Sequence, residues 1–174
     1  MEIKFFNTLG KEKKEFKPID ENEIKMYSCG PTVYNFAHIG NLRAYLFMDS
    51  LRRVLKYNGY KLKHVMNITD VGHLVSDADE GEDKMMKAAK RENKDPFQIA
   101  DKYTEVFLKD MDRLNIDRPE IIARATKHID TMEEYVKKII ENGYTYQTEN
   151  TIYFDTSKLK QKNDFYYNLI DYYN

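Results

Sequence analysis

Apolar and polar positions along the first half of the chain follow a strand–helix–strand order. Residues 23–28 alternate with period two, which predicts a short strand. Apolar residues then recur at three- and four-residue intervals up to residue 55, which predicts an amphipathic helix that begins at or just after His38. Residues 62–69 alternate again and predict a second strand. Two strands that flank one helix form a βαβ unit, which implies a parallel sheet and a right-handed crossover.

The second half of the sequence predicts further helices and a hairpin. A short strand is also predicted near the N-terminus, over residues 3–6. Four features predict the elements of the second half: helical spacing, the proline at position 96, Thr126 as a helix cap and Gly143 as a helix stop. The elements are helices over residues 83–91, 96–114 and 126–141, and a hairpin over residues 144–155.

Composition limits the class of protein. The chain has 174 residues, 41% of them hydrophobic and 33% charged, which allows one domain and the start of a second. Its single cysteine excludes an internal disulfide and fits a reducing cytoplasm. No apolar run approaches the roughly 18 residues of a membrane helix, so we expect no membrane partner. The net charge of −1 provides no general attraction to RNA, so any RNA contact would depend on local patches.

The turn between the first strand and the long helix carries the candidate chemistry. A helix start presents unpaired N–H groups and the positive end of the helix dipole, which suits a phosphate chain. Gly40 would let a nucleotide approach the backbone, and His38 and Asn41 can donate hydrogen bonds to it. In parallel sheets, ligands bind beyond the carboxyl ends of the strands. Cys29 ends the first strand and Thr69 ends the second, so we expect both to border one crevice.

Three motifs give this region a family resemblance. They are Cys29-Gly-Pro-Thr-Val-Tyr34, His38-Ile-Gly-Asn41 and Asn67-Ile-Thr-Asp70, and together they resemble the signatures of cysteinyl-tRNA synthetases, which belong to class I. The resemblance runs from about residue 3 to about residue 155. It implies an α/β fold, with the first half of a Rossmann-like parallel sheet over residues 1–116. It also implies that residues 117–174 begin the connective insertion of that class.

The resemblance also implies an activity and roles for individual residues. The family activates cysteine with ATP and magnesium to cysteinyl adenylate and transfers the cysteine to tRNA(Cys). The implied ATP-binding residues are Tyr34, His38, Gly40 and Asn41, with His38 and Asn41 also stabilising the charge of the transition state. Cysteine would be bound by Cys29, Gly30 and Thr69. Cys29 would be one of four ligands of a zinc ion, and the other three are expected outside this chain.

Other interpretations of the same residues stay open. Cys29 alone could be a small core residue, His38 a helix cap, and Tyr34 a packing residue of the turn. A ligase that joins cysteine to a small amine would share the signature, and so would a non-catalytic module that binds nucleotide or RNA. The chain has no Lys-Met-Ser-Lys-Ser loop, so we expect it to be inactive alone. We expect a cytoplasmic monomer, assign no role to His73, and expect the aromatic segment 165–173 to pack against something.

Overall fold

The structure, a computed structural model, describes residues 3–8, 10–72 and 84–159 of the chain. His73 and the aromatic segment 165–173 therefore lie outside the described residues. The strands in the described part are β1 Lys4–Asn7, β2 Glu12–Glu15, β3 Ile24–Ser28, β4 Leu62–Ile68, β5 Ile121–Arg124, β6 Thr145–Gln147 and β7 Ile152–Phe154. The α-helices in that part are α1 Ile39–Tyr57, α2 Lys84–Glu92, α3 Pro96–Arg113 and α4 Ile129–Glu141.

A parallel sheet with the order β3–β4–β5 holds the candidate site. In register, Ser28 of β3 lies opposite Met66 of β4, and Ile68 of β4 lies opposite Arg124 of β5. The predicted strand–helix–strand unit with parallel strands is confirmed. Strand β5 was not predicted, because its residues Ile121-Ile-Ala-Arg124 do not alternate between apolar and polar positions. The division of the chain at residues 116 and 117 stays a prediction, while the sheet itself continues through β5.

Chain contacts group the residues into two compact units, which are described separately. Among the described residues, the first unit contains residues 17–72 and 84–128, and the second contains residues 3–8 and 10–16 together with residues 129–159. The first unit has a core of buried apolar side chains from the loop after β3, from α1, β4, α2 and α3, and from the segment that follows α3. Its members are Val33, Tyr45, Met66, Ile68, Ala88, Ala89, Ile99, Ala100, Tyr103, Phe107, Met111 and Ile116.

Helix α1 is tied to the approach to β5 by a buried arginine. Arg52 is only 1% exposed, although its charge favours a solvent-facing position. Its Nη1 donates to the Asp117 carbonyl at 2.5 Å, and its Nη2 pairs with Glu120 Oε1 at 2.7 Å. The other oxygen of Glu120 accepts from the backbone N–H of His64 at 2.9 Å. The two terminal nitrogens of the guanidinium therefore join helix, sheet and turn, while its buried Nε has no hydrogen-bond partner among the described residues.

Most of the helices and strands predicted for the second half of the chain are present in the structure, with one exception at a helix start. The helices predicted over residues 83–91 and 96–114 are confirmed as α2 and α3, and the hairpin is confirmed as antiparallel β6 and β7. The prediction that Thr126 caps the next helix was wrong, because α4 begins at Ile129. Thr126 lies in a short 3₁₀ turn, where its N–H and hydroxyl donate to Asp70 instead. No helix among the described residues is long and apolar enough to span a membrane.

Candidate nucleotide and amino-acid site

The loop between β3 and α1 is held against the end of β4 by backbone hydrogen bonds. Thr32 forms an isolated parallel bridge with Thr69. The Val33 N–H donates to the Thr69 carbonyl at 3.1 Å, and the Thr69 N–H donates to the Pro31 carbonyl at 3.0 Å. The loop thus extends the sheet beyond the regular strands. It carries Cys29 and Gly30 at one end and His38 at the other, next to the carboxyl end of β4.

Gly30 lies so close to β4 that only glycine fits. A Cβ atom at this position would stand 1.7 Å from the Asn67 carbonyl oxygen, a distance that requires the backbone to move. The Gly30 N–H donates to Asn67 Oδ1 at 2.9 Å. The absence of a side chain therefore serves strand packing directly, and the N–H of Gly30 is already occupied.

His38 caps α1 with its own imidazole ring. Its Nδ1 accepts from the backbone N–H groups of Gly40 at 3.1 Å and Asn41 at 3.4 Å. A backbone N–H can only donate, so Nδ1 must be the nitrogen without hydrogen, and in the neutral ring the hydrogen is on Nε2. The ring therefore presents a donor at Nε2. A Cβ on Gly40 would lie 3.0 Å from this ring, so the glycine gives the imidazole room.

Asn41 completes a reciprocal capping box. Its Oδ1 accepts from the backbone N–H of His38 at 3.1 Å. With the oxygen committed in this way, its amide nitrogen is left as a donor that has no partner among the residues described. The cap interpretation of His38 is thus correct, and the same geometry leaves one side-chain donor on each of His38 and Asn41.

A cavity of about 310 Å³ opens beside this helix start. Four of the residues predicted from sequence line it, namely Gly30, Tyr34, His38 and Asn41. Cys29, Gly40 and Thr69 do not line it, so the structure does not place all the predicted site residues around one cavity. The remaining lining residues are Pro31, Thr32, Val33, Asn35, Phe36, Ala37, Tyr45, Tyr103 and Phe107.

Aromatic side chains from α1 and α3 contribute to the cavity wall. Tyr45 meets Phe107 edge-on with their ring centroids 4.9 Å apart, and Phe36 meets Tyr103 edge-on at 5.1 Å. Burial, together with a smaller electrostatic effect of Cys29, raises the pKa of Tyr45 to about 12. The phenol therefore stays protonated at neutral pH. Sequence reasoning treated Tyr45, Tyr103 and Phe107 only as apolar helix positions, because helical spacing cannot separate core from cavity wall.

A carboxylate behind the cavity holds one of these aromatic residues. Glu92 pairs with Lys102 at 2.6 Å and accepts the hydroxyl hydrogen of Tyr103. The hydrogen bonds from Lys102 and Tyr103 lower the pKa of Glu92 to about 2. Arg91 donates both to Glu92 at 3.2 Å and to the Tyr34 carbonyl at 3.4 Å. These polar contacts link the helices to the loop that carries the candidate nucleotide-binding residues.

Asp70, which closes the third sequence motif, is a buried hub of the sheet. Its carboxylate accepts from Arg124 Nε at 2.9 Å, and from the N–H and hydroxyl of Thr126 at 2.9 and 2.7 Å. Burial by itself would raise the pKa of Asp70, but the hydrogen bonds from Thr126 and Arg124 outweigh it and hold that pKa below its usual value. These contacts join the segment after β4 to Arg124 of β5 and to Thr126 in the turn that follows it.

The described residues do not form a complete metal site. Cys29 is exposed and can offer one thiolate. Within residues 3–8, 10–72 and 84–159, no three His, Cys, Asp or Glu side chains lie close enough together to hold an ion. A structural or substrate-binding zinc ion takes four ligands. The residues described here therefore do not fit a zinc ion by themselves.

Comparison with known proteins identifies close relatives of this chain. Residues 15–171 match the family model described as tRNA synthetases class I (C) catalytic domain. The cysteine–tRNA ligase of Zymomonas mobilis is 54% identical over 159 residues, which cover 91% of this chain and 31% of that protein. The cysteine–tRNA ligase of Treponema denticola is 52% identical and covers 90% of the chain and 32% of that protein. The chain thus spans about a third of the length of these relatives.

A solved structure supports the fold alone. A chain from Campylobacter jejuni, named as an arginyl-tRNA synthetase, superposes with a TM-score of 0.56 at 14% sequence identity. The match covers 82% of this chain and 39% of that chain. Such low identity indicates a shared arrangement of strands and helices.

Proposed function

The chain belongs to the family of class I (C) tRNA synthetase catalytic domains, and from that membership we propose that it forms the first half of the catalytic domain of a cysteine–tRNA ligase. In the complete enzyme, a carboxylate oxygen of cysteine attacks the α-phosphorus of ATP and pyrophosphate leaves. The 3′ end of tRNA(Cys) then attacks the acyl carbon of the cysteinyl adenylate, and AMP leaves. ATP enters with magnesium.

The capping geometry of His38 is the observation that carries this proposal. Because Nδ1 is held by two backbone N–H groups, the orientation of the Nε2–H donor is fixed, and His38 lines the cavity. This donor requires no reorganisation when charge develops on the α-phosphoryl oxygens, and preorganised donors of this kind stabilise such transition states. The amide nitrogen of Asn41 supplies a second donor. Tyr34 and Gly40 border the nucleotide in this proposal.

Cys29, Gly30 and Thr69 are proposed to contact the cysteine substrate, with Cys29 as one zinc ligand. The other ligands would come from outside the described residues, so no catalytic step is derived through the metal. A soft thiolate site would favour cysteine over serine. The isolated chain is expected to be a monomer in the cytoplasm and inactive, since the second half of the family's domain is needed to hold ATP.

A chimera tests this proposal. In it, this chain replaces the matched 159-residue region of the Zymomonas mobilis ligase. We expect exchange of pyrophosphate into ATP that depends on cysteine and not on serine. ATP binding without exchange, in a chimera whose melting shows it to be folded, would contradict the proposal and favour the non-catalytic module. The intact Zymomonas mobilis protein is the positive control.

A further inference from the structure

One side chain outside the predicted site joins two members of it. Asn67, near the end of β4, accepts at Oδ1 from the Gly30 N–H at 2.9 Å and from the Tyr27 hydroxyl at 3.0 Å. Its Nδ2 donates to the Thr69 hydroxyl oxygen at 3.1 Å. Gly30 and Thr69 are the groups proposed to contact cysteine besides Cys29. The sequence analysis assigned Asn67 no role beyond being the first residue of the motif Asn67-Ile-Thr-Asp70.

The orientation of the Asn67 amide follows from its partners. The Gly30 N–H can only donate, so the Asn67 atom that faces it must be the carbonyl oxygen. The amide nitrogen must then face Thr69, and it can only donate. The Thr69 hydroxyl oxygen therefore accepts one hydrogen bond, and its own hydrogen remains available. Among the described residues the structure gives that hydrogen no acceptor.

The backbone of Thr69 strengthens this conclusion. Its N–H donates to Pro31 and its carbonyl accepts from Val33, so both main-chain groups are occupied. The hydroxyl hydrogen is the remaining donor of the residue. At Gly30 the situation is reversed, because the N–H is occupied and a ligand could be met only by the carbonyl, which accepts.

We propose that Asn67 is a positioning residue that sets the hydrogen-bond polarity of the amino-acid site, fixing Thr69 as a donor and Gly30 as an acceptor. A free amino acid has a carboxylate, which accepts, and an ammonium group, which donates, so the two fixed groups match its two ends. This inference rests on the proposed function, since it concerns the same cysteine site.

The substitution Asn67→Asp is nearly isosteric and reverses one contact. One carboxylate oxygen still accepts from Gly30 and Tyr27, while the second replaces a donor with an acceptor. The Thr69 hydroxyl hydrogen then turns to that oxygen and is lost to the substrate. In the chimera we expect the KM for cysteine to rise by roughly 10- to 100-fold, the range for a hydrogen bond to a charged group. The KM for ATP should change by less than about twofold, a free-energy change well below that of one hydrogen bond.

Two controls isolate the effect. Tyr27→Phe removes another donor to the same Asn67 oxygen from a side chain that is 64% exposed, and it should leave both KM values unchanged. Thr69→Val removes the hydroxyl. If Asn67 acts through that hydroxyl, Asn67→Asp should raise the KM for cysteine far less in the Thr69→Val background. Equal rises in both backgrounds would overturn the proposal, because they would reflect only the added charge.

A measurement on the full 174-residue chain separates this inference from the proposed function. In NMR spectra, nuclear Overhauser contacts from the Asn67 Nδ2 protons should be stronger to the Thr69 side chain than to the Gly30 N–H. The opposite order of intensities would mean the reverse amide orientation and would overturn the inference whatever the chimera does. A chimera without cysteine-dependent exchange, with the expected NMR contacts, would contradict the proposed function and leave the polarity of the Thr69 hydroxyl established.

Discussion

The two ring nitrogens of His38 serve different purposes at the start of α1. Nδ1 accepts from the Gly40 N–H and shares the Asn41 N–H with the His38 carbonyl, which stabilises the helix start. Nε2 keeps its hydrogen and is proposed to donate to a phosphate. A histidine can do both because its two ring nitrogens point in different directions. The cap also fixes the orientation of the donor, so the structural role supports the proposed catalytic one.

Two substitutions should separate these roles. His38→Ala removes cap and donor, so it should lower the free energy of unfolding of the full chain by about 0.5–2 kcal/mol. His38→Asp keeps an acceptor for the N–H groups, offers no donor, and should retain most of that stability. Both should slow cysteine-dependent pyrophosphate exchange in the chimera by roughly 100- to 1,000-fold. Urea unfolding and the exchange rate are the two measurements, and a fully active His38→Asp variant would end the catalytic interpretation.

At the scale of elements, the ends of β4 and β5 are joined to α3 through buried charge. Asp70 at the end of β4 pairs with Arg124 at the end of β5, and Arg124 also pairs with Asp101 of α3 at 2.6 Å. The two carboxylates differ in environment, since the Asp70 side chain is 1% exposed and the Asp101 side chain is 66% exposed. These contacts add to the backbone pairing of the four-residue strand β5 with β4.

This difference gives a matched pair of variants. Asp70→Asn should lower the free energy of unfolding at pH 7 by about 1.5–3 kcal/mol, because it weakens charge-assisted bonds that are shielded from water. Asp101→Asn should cost less than about 1 kcal/mol, because its partner contact is screened by solvent. Urea unfolding of the full chain measures both, and equal costs would show that burial does not set the strength of the two pairs.

The stability that Asp70→Asn loses relative to the wild type should become smaller as the pH falls. The pKa of Asp70 is lower in the folded chain than its usual value, so the folded state favours the carboxylate. Its stabilising contribution is therefore fully present above the unfolded-state pKa of about 4 and is lost as the pH falls through the folded-state pKa. The gap between wild type and Asp70→Asn should narrow below about pH 4. A gap that stays constant in unfolding curves between pH 7 and pH 3 would contradict this linkage.

At the scale of the whole molecule, the chain spans about a third of the length of its cysteine–tRNA ligase relatives, and it has a single cysteine as a candidate zinc ligand. One thiolate cannot build a tetrahedral site. We therefore expect the purified chain to hold zinc weakly, with less than one equivalent after dialysis against a chelator. Metal analysis by mass spectrometry checks this, with Cys29→Ser as the control. Stoichiometric zinc that survives the chelator would mean that this chain supplies a full ligand set.

The sequence by itself determined the parallel strand–helix–strand unit, the position of the turn at His38, and the family. These depend on local periodicity and on short motifs, so they can be predicted without knowing which distant segments meet. The same is true of α3, whose start is marked in the sequence by Pro96.

Only the tertiary structure decided how the motif residues are used. Asn67 bridges Tyr27, Gly30 and Thr69 across two strands, and Thr126 binds Asp70 rather than capping α4. Arg52 lies buried because Glu120, 68 positions away in sequence, pairs with it. Hydrogen-bond partners so far apart leave no periodic trace in the sequence. A polar residue's role depends on which donor or acceptor the fold brings within about 3 Å of it.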